Sequence, residues 1–205
     1  MVVLIVALMF IVLITISYFV SLKIRKPADA SAPAIGQSIP LTPATYYHPA
    51  HTFAKVIGND LVHIGMDDFA KQAFGDSGEI ELPRVGCILK QGEVAWKTSI
   101  GDRKVSQPMP LTGTIIEVNE DKSDSSWLLK VEPLSLQQNL ANLISESLAG
   151  SWMSAVRAKF QSSFSSSLVP VMQDGGQLVD GFSKHLENDQ WEEFCKDFFN
   201  SGECS

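Results

Sequence analysis

A basic surplus is the first thing this sequence lacks. Lysine and arginine total 16 against 23 aspartate and glutamate, which leaves a formal net charge of −7. Met1 to Leu22 holds no charged side chain, so the whole imbalance falls on the rest of the chain. Nucleic-acid binding needs positive patches that displace condensed counterions, and this balance excludes it. Cysteine is scarce too: Cys87, Cys195 and Cys204 form no CxxC or zinc-ligand spacing. An odd count without a framework suits a reducing compartment and leaves a Cys195–Cys204 bridge open. His48 and His51 read as His-x-x-His, but catalytic zinc needs three protein ligands. No acidic or cysteine pair stands nearby, so no metal is expected. Thr98 and Ser99 have no histidine beside them, which removes the nucleophile reading. Asp67-Asp68 is explained by helix capping and the macrodipole. No enzyme active site and no small-molecule substrate emerge from these residues.

What is present begins with Met1 to Leu22, dominated by Val, Ile, Leu, Met and Phe. As a helix it spans roughly 33 Å, enough to cross a hydrocarbon core. A cleaved signal peptide needs a basic start, a shorter apolar core and a small-residue cleavage site. No basic residue precedes the run, although Ala28 to Ala34 offers small residues. Lys23, Arg25 and Lys26 follow it at once, which places the C-terminal side in the cytoplasm. The expectation is a single-pass anchor in the cell membrane, N-terminus outside and body cytoplasmic. Residues 23–44, rich in Ala, Pro and Ser, read as a linker. Tyr46, Tyr47 and His48 read either as headgroup contacts or as packing on a domain edge.

From His51 the pattern tightens. His51 to Ile57 and Leu61 to Met66 are strand-like runs around the turn Gly58-Asn59-Asp60. Asp67-Asp68 opens a short helix with Phe69, Ala70, Ala73 and Phe74 on one face, closed by Gly75. Two apolar runs, Val94 to Ile100 and Arg103 onward, flank Gly101-Asp102, a tight-hairpin signal because both turn positions favour φ > 0. Pro108 and Pro110 end that arm, and Gly113 opens the β-rich run Thr114 to Val118. Glu120 to Ser126 is a short polar loop leading to Trp127–Val131.

The order of His51-Thr-Phe53, Gly65-Met-Asp-Asp-Phe-Ala70, Leu82-Pro-Arg-Val-Gly86, the hairpin and Pro110-Leu-Thr-Gly113 resembles the lipoyl/biotinyl-carrier fold. In particular it is similar to the H protein of the glycine cleavage system, over His51 to Val131. The resemblance implies a mainly β barrel-sandwich hybrid over residues 45–132 and a lipoylated lysine at the exposed hairpin tip. Counted back from Pro110, the lysine position is Asp102 here, and a carboxylate cannot form the amide to lipoate. The neighbours differ as well: H proteins read roughly Glu-Ser-Val-Lys-Ala, against Ser99-Ile-Gly-Asp-Arg-Lys104. Lys104 is the nearest amine. H proteins also carry a longer excursion before the last strand than Glu120 to Ser126 provides. The expected cofactor is therefore none.

Residues 133–205 are expected to form a helical extension. Leu136, Leu140, Leu143, Ile144 and Leu148 make one stripe, interrupted by Gly150 and continued by Trp152, Val156 and Phe160. After a serine-rich loop at 162–167, a last amphipathic helix is predicted over about Gln177 to Phe199. Its Trp191, Phe194 and Phe198 face a protein partner or the chain's own core, because its acidic polar face repels anionic lipid.

The whole reads as a non-catalytic, unlipoylated, membrane-anchored H-type protein. It would work as adaptor or subunit of a membrane-associated complex with protein partners, through a recognition tip at Gly101, Asp102, Arg103 and Lys104. Two rivals stand beside this. One is a lipoyl carrier using Lys104 as an aminomethyl shuttle. The other is a periplasmic membrane-fusion-type adaptor, which normally has a coiled-coil insertion; no heptads interrupt Gly86 to Val118.

Overall fold

Where apolar residues alternate along 52–66, one face of each strand has to find cover, and the chain supplies it with a second sheet. The computed structural model describes residues 43–75, 78–121, 126–164, 172–173 and 177–199. All lie in the second of two units, Met1–Ile39 and Pro40–Ser205.

The strands are β1 Ala44–Tyr47, β2 Thr52–Gly58, β3 Leu61–Met66, β4 Glu79–Glu81, β5 Ile88–Leu89 and β6 Val94–Ile100. After these come β7 Arg103–Pro108, β8 Gly113–Val118, β9 Leu129–Pro133, β10 Ile144–Ser145, β11 Met172–Gln173 and β12 Gln177–Leu178. The helices are α1 Asp68–Phe74, α2 Leu136–Leu140, α3 Glu146–Phe164, a 3-10 turn Phe182–His185, and α4 Asn188–Phe199. One sheet runs β10-β1-β2-β3-β9-β8-β5 and a second runs β4-β6-β7, while β11 and β12 pair alone. Val56, Val62, Ile64, Ile115 and Val131 from the first sheet and Ala95, Trp96, Ile100 and Val105 from the second share one buried core.

The expected β-rich body is therefore present with helices attached, but the expected fold class needs correction. Among the described residues no helix is long and apolar enough to cross a membrane. The run expected to span, 1–22, lies outside the described residues. Over the described residues the fold is a β-sheet-rich one with packed helices, none of which is a membrane span.

The C-terminal portion is also less helical than its periodicity suggests. The stripe Leu136 to Leu148 does not lie on one helix. Ile144 and Ser145 leave the helical path to pair with Tyr47 and Tyr46 of β1. An unpaired sheet edge offers a row of free N–H and C=O groups, and satisfying it outweighs local helix preference. Gly150 does not interrupt α3; it sits inside it, and Leu148 is exposed. The helix predicted over 177–199 starts at Asn188, after β12 and the 3-10 turn. The cause is Gly181 at φ +72 followed by Leu186 in an extended conformation.

Gly75 explains how this segment comes close. It closes α1 at φ +64, and a Cβ there would stand 2.9 Å from the Gly181 nitrogen. With neither glycine carrying a side chain, Gly181 N–H donates to Gln72 O at 2.8 Å and Ser183 Oγ donates to Ala73 O at 2.6 Å. The end of α1 is thereby stitched to the 3-10 turn. Its start is capped as expected: Asp67 Oδ1 accepts the Ala70 N–H at 2.9 Å.

Candidate functional site

The predicted hairpin forms, with Ile100 opposite Arg103 closing the two-residue turn Gly101-Asp102, but of the two turn positions expected at φ > 0 only Gly101 takes it. Gly101 takes φ +61, the left-handed conformation that favours glycine. Because side chains alternate along a strand, β7 splits the predicted tip into two faces. Asp102 and Lys104 are exposed, and Lys104 lies across from Ser99. Arg103 shares the inner face with buried Val105 and Gln107. That face is polar in part: Gln107 Oε1 accepts Trp96 Nε1–H and, at 3.0 Å, Thr98 Oγ1–H.

Arg103 reaches the C-terminal segment. Its Nη1 donates to Leu186 O at 2.8 Å and to Ser183 O at 3.5 Å, and its Nη2 donates to Asn188 Oδ1 at 2.8 Å. The guanidinium lies over Trp191, 5.5 Å from the ring centroid. A fork of donors on backbone carbonyls is a geometry arginine holds and lysine does not. The tip is thus tied down at Arg103 and exposed at Asp102 and Lys104. Arg103→Ala is expected to cost about 2 kcal/mol through these bonds and the ring contact. Asp102→Ala should stay within about 0.5 kcal/mol of the parent. Chemical denaturation of both variants checks the pair.

At its base the hairpin is held by Gln91, whose Nε2 donates to Pro110 O at 2.9 Å and to Asn139 O at 3.1 Å. Asn139 Oδ1 in turn accepts the Thr112 N–H at 2.8 Å, so α2 anchors the Pro110–Gly113 segment. Beyond β8, Asn119 N–H donates to Leu128 O at 2.9 Å, drawing the short loop directly onto β9.

Sequence reasoning missed the pair His51–Asp67. His51 Nδ1–H donates to Asp67 Oδ2 at 2.7 Å, with both side chains 1% exposed. The imidazole stacks 5.2 Å from Trp152 and lies 4.5 Å from Phe69 and 5.5 Å from Phe199. Its backbone sits at φ +63, uncommon for a residue with a Cβ. Asp67 therefore caps α1 with one oxygen and receives the histidine with the other. Asp68 is exposed, so the two carboxylates do not face one site. His48 plays a separate part, its Nδ1 accepting the Ala50 N–H at 3.1 Å. Among the described residues no group of ligands suited to a metal is assembled.

Burial, and then the neighbouring His51, push the His48 pKa below the ordinary value of 6.5. Burial, then Lys130 and Lys55, push His63 the same way. Both favour the neutral ring in the fold, so their contribution to stability is complete above 6.5. It is lost as the pH falls from there through the lowered folded values. Stability measured from pH 7.5 to 5 should fall with acid, and His48→Gln should flatten that fall.

The model of the family described as "Glycine cleavage H-protein" matches residues 45–154, more than half of the chain. The chain belongs to the glycine cleavage H-protein family. A "Probable glycine cleavage system H protein" of Pyrococcus abyssi is 33% identical over 109 residues, covering 48% of this chain and 81% of that one. "Glycine cleavage system H protein 2" of Pseudomonas syringae pv. tomato is 30% identical over 105 residues, covering 46% and 82%. The crystal structure of an H protein from Mycobacterium marinum aligns with a TM-score of 0.43 and 22% identity, over 51% of this chain and 91% of that one. For an H-protein family member, the match reaches past the hairpin, through α2 and β10 and into α3. The remaining helical segment, which holds Arg103, lies beyond the matched residues.

Proposed function

We propose that this H-protein family member acts through protein partners, without chemistry of its own, and without a lipoyl arm at the hairpin tip. The observation that carries this is Asp102, an exposed carboxylate in the turn where the family resemblance puts the modified lysine. The tie from Arg103 to Ser183, Leu186 and Asn188 supports it, because it fixes the tip against the chain's own C-terminal segment. A fixed, charged turn on a rigid hairpin suits a contact surface.

A second reading, a lipoyl carrier of the H-protein type, is favoured by the relatives, named as glycine cleavage H proteins. It uses Lys104, an exposed amine on the outer face of β7. The intact mass of the protein from its native source, with a peptide map over Val94 to Pro110, separates the two. An unmodified peptide supports the arm-free reading. A lipoyl-sized increment on Lys104, absent from Lys104→Arg, overturns it and establishes the carrier.

A further inference from the structure

We propose that the cleft between β1–β3 and the helices α1 and α3 binds a carboxylate carrying a short apolar chain. This cleft lies beside the His51–Asp67 pair and apart from the residues of the hairpin tip. Its volume is 380 Å³, and Phe53, Met66, Met153 and the ring of Tyr47 give it apolar walls. Three cations line it, Lys55 from β2, Lys71 from α1 and Arg157 from α3. Lys71 is half-buried, and Lys55 and Arg157 are exposed at the rim.

Two carboxylates, Asp67 and Asp68, line the cleft beside them. Asp67 is committed to His51 and to the Ala70 N–H, and Asp68 stands exposed in the first turn of α1. Among the described residues none of the three cations forms an ion pair, whereas Lys130 and Lys159 do. A second groove of 340 Å³ shares Asp68, Lys71 and Arg157 with the first and continues past Gln72 to Asp180. Lys71 and Arg157 therefore stand where an apolar lobe meets a polar one. A ligand with its chain toward Met66 and Met153 and its charge at the junction satisfies both halves. The Tyr47 hydroxyl is kept protonated by burial and then by Glu146, Asp68 and Asp67, and it remains a donor in the lining.

Gly150 of α3 faces the same open space. Glycine weakens a helix interior, and a Cβ at 150 would meet nothing within 4 Å, so no close packing requires it there. It lines the same cleft, where the missing side chain leaves room.

The test is calorimetric titration of the full chain with hexanoate, acetate and 1-hexanol. Hexanoate has both charge and chain, and each of the others has one of the two. Hexanoate is expected to bind about tenfold more tightly than either, the scale of one charge-assisted contact added to chain burial. The double variant Lys71→Gln, Arg157→Gln should lose about tenfold for hexanoate, and Lys97→Gln, on the other sheet, should lose nothing. Hexanoate binding no tighter than acetate and hexanol overturns the proposal, as does undiminished binding to a folded double variant. The three-probe comparison needs no variant, so it decides even where the double variant does not fold.

Discussion

Phe69→Ala is expected to lower the unfolding free energy by about 4 kcal/mol, within the range for emptying a buried phenylalanine site. Phe69 is fully buried on α1 and meets rings from four other elements. His51 lies at 4.5 Å, Phe198 at 5.5 Å, Phe160 at 5.9 Å, Phe182 at 6.0 Å and Phe194 at 6.3 Å. These partners belong to the loop before β2, to α3, to the 3-10 turn and to α4. Removing the ring therefore opens the seam between the sheets and the whole C-terminal segment. Since no single neighbour can fill the hole without leaving its own contacts, the loss should sit at the upper half of that range. In a thermal melt the midpoint should drop by about 10 °C. A drop of a degree or two would mean that the C-terminal helices collapse freely onto α1 and that the seam is not a shared core. Phe69→Leu, which keeps much of the volume, is expected to recover more than half of the loss.

His51→Ala should cost about 3 kcal/mol, because it leaves the buried Asp67 carboxylate without its partner. The magnitude rests on burial: both side chains are 1% exposed at a separation of 2.7 Å, where water cannot substitute. It also removes a ring that four aromatics enclose, Phe69, Trp152, Phe198 and Phe199. Asp67→Asn keeps an oxygen for the Ala70 N–H and should cost less, about 1 kcal/mol. A double-mutant cycle in urea isolates the coupling between the two positions, expected at about 1.5 kcal/mol or more. Additive costs would show that His51 stabilises by ring packing alone. An unchanged denaturant slope would confirm that the variants differ in stability and not in the compactness of either state.

These two positions mark the boundary between what can be read along the chain and what cannot. The β-hairpins at 52–66 and 94–108 and the capped helix at 68–74 are legible because their causes are local. Alternation fixes the strand faces, Gly101-Asp102 fits a two-residue turn, and Asp67 stands three residues before the N–H that it caps. The order of those elements was enough to indicate the H-protein resemblance, which the family match bears out. That Asp102 stands at the family's lysine position follows from the resemblance, by counting back from Pro110.

Tertiary structure decided the rest. The stripe from Leu136 to Leu148 keeps helical spacing, yet the chain breaks it at Ile144, because the free edge of β1 offers hydrogen bonds that no helix-period pattern encodes. Arg103 reads as a tip charge until residues 80 to 85 positions later bring three acceptors beneath it. His51 joins Asp67 across a hairpin, and Lys55, Lys71 and Arg157 share one cleft from three separate elements. Local sequence sets which way each side chain leaves its own backbone. What that side chain meets depends on chain closure over long separations, where burial of Phe69 and its neighbours, not periodicity, selects the partners.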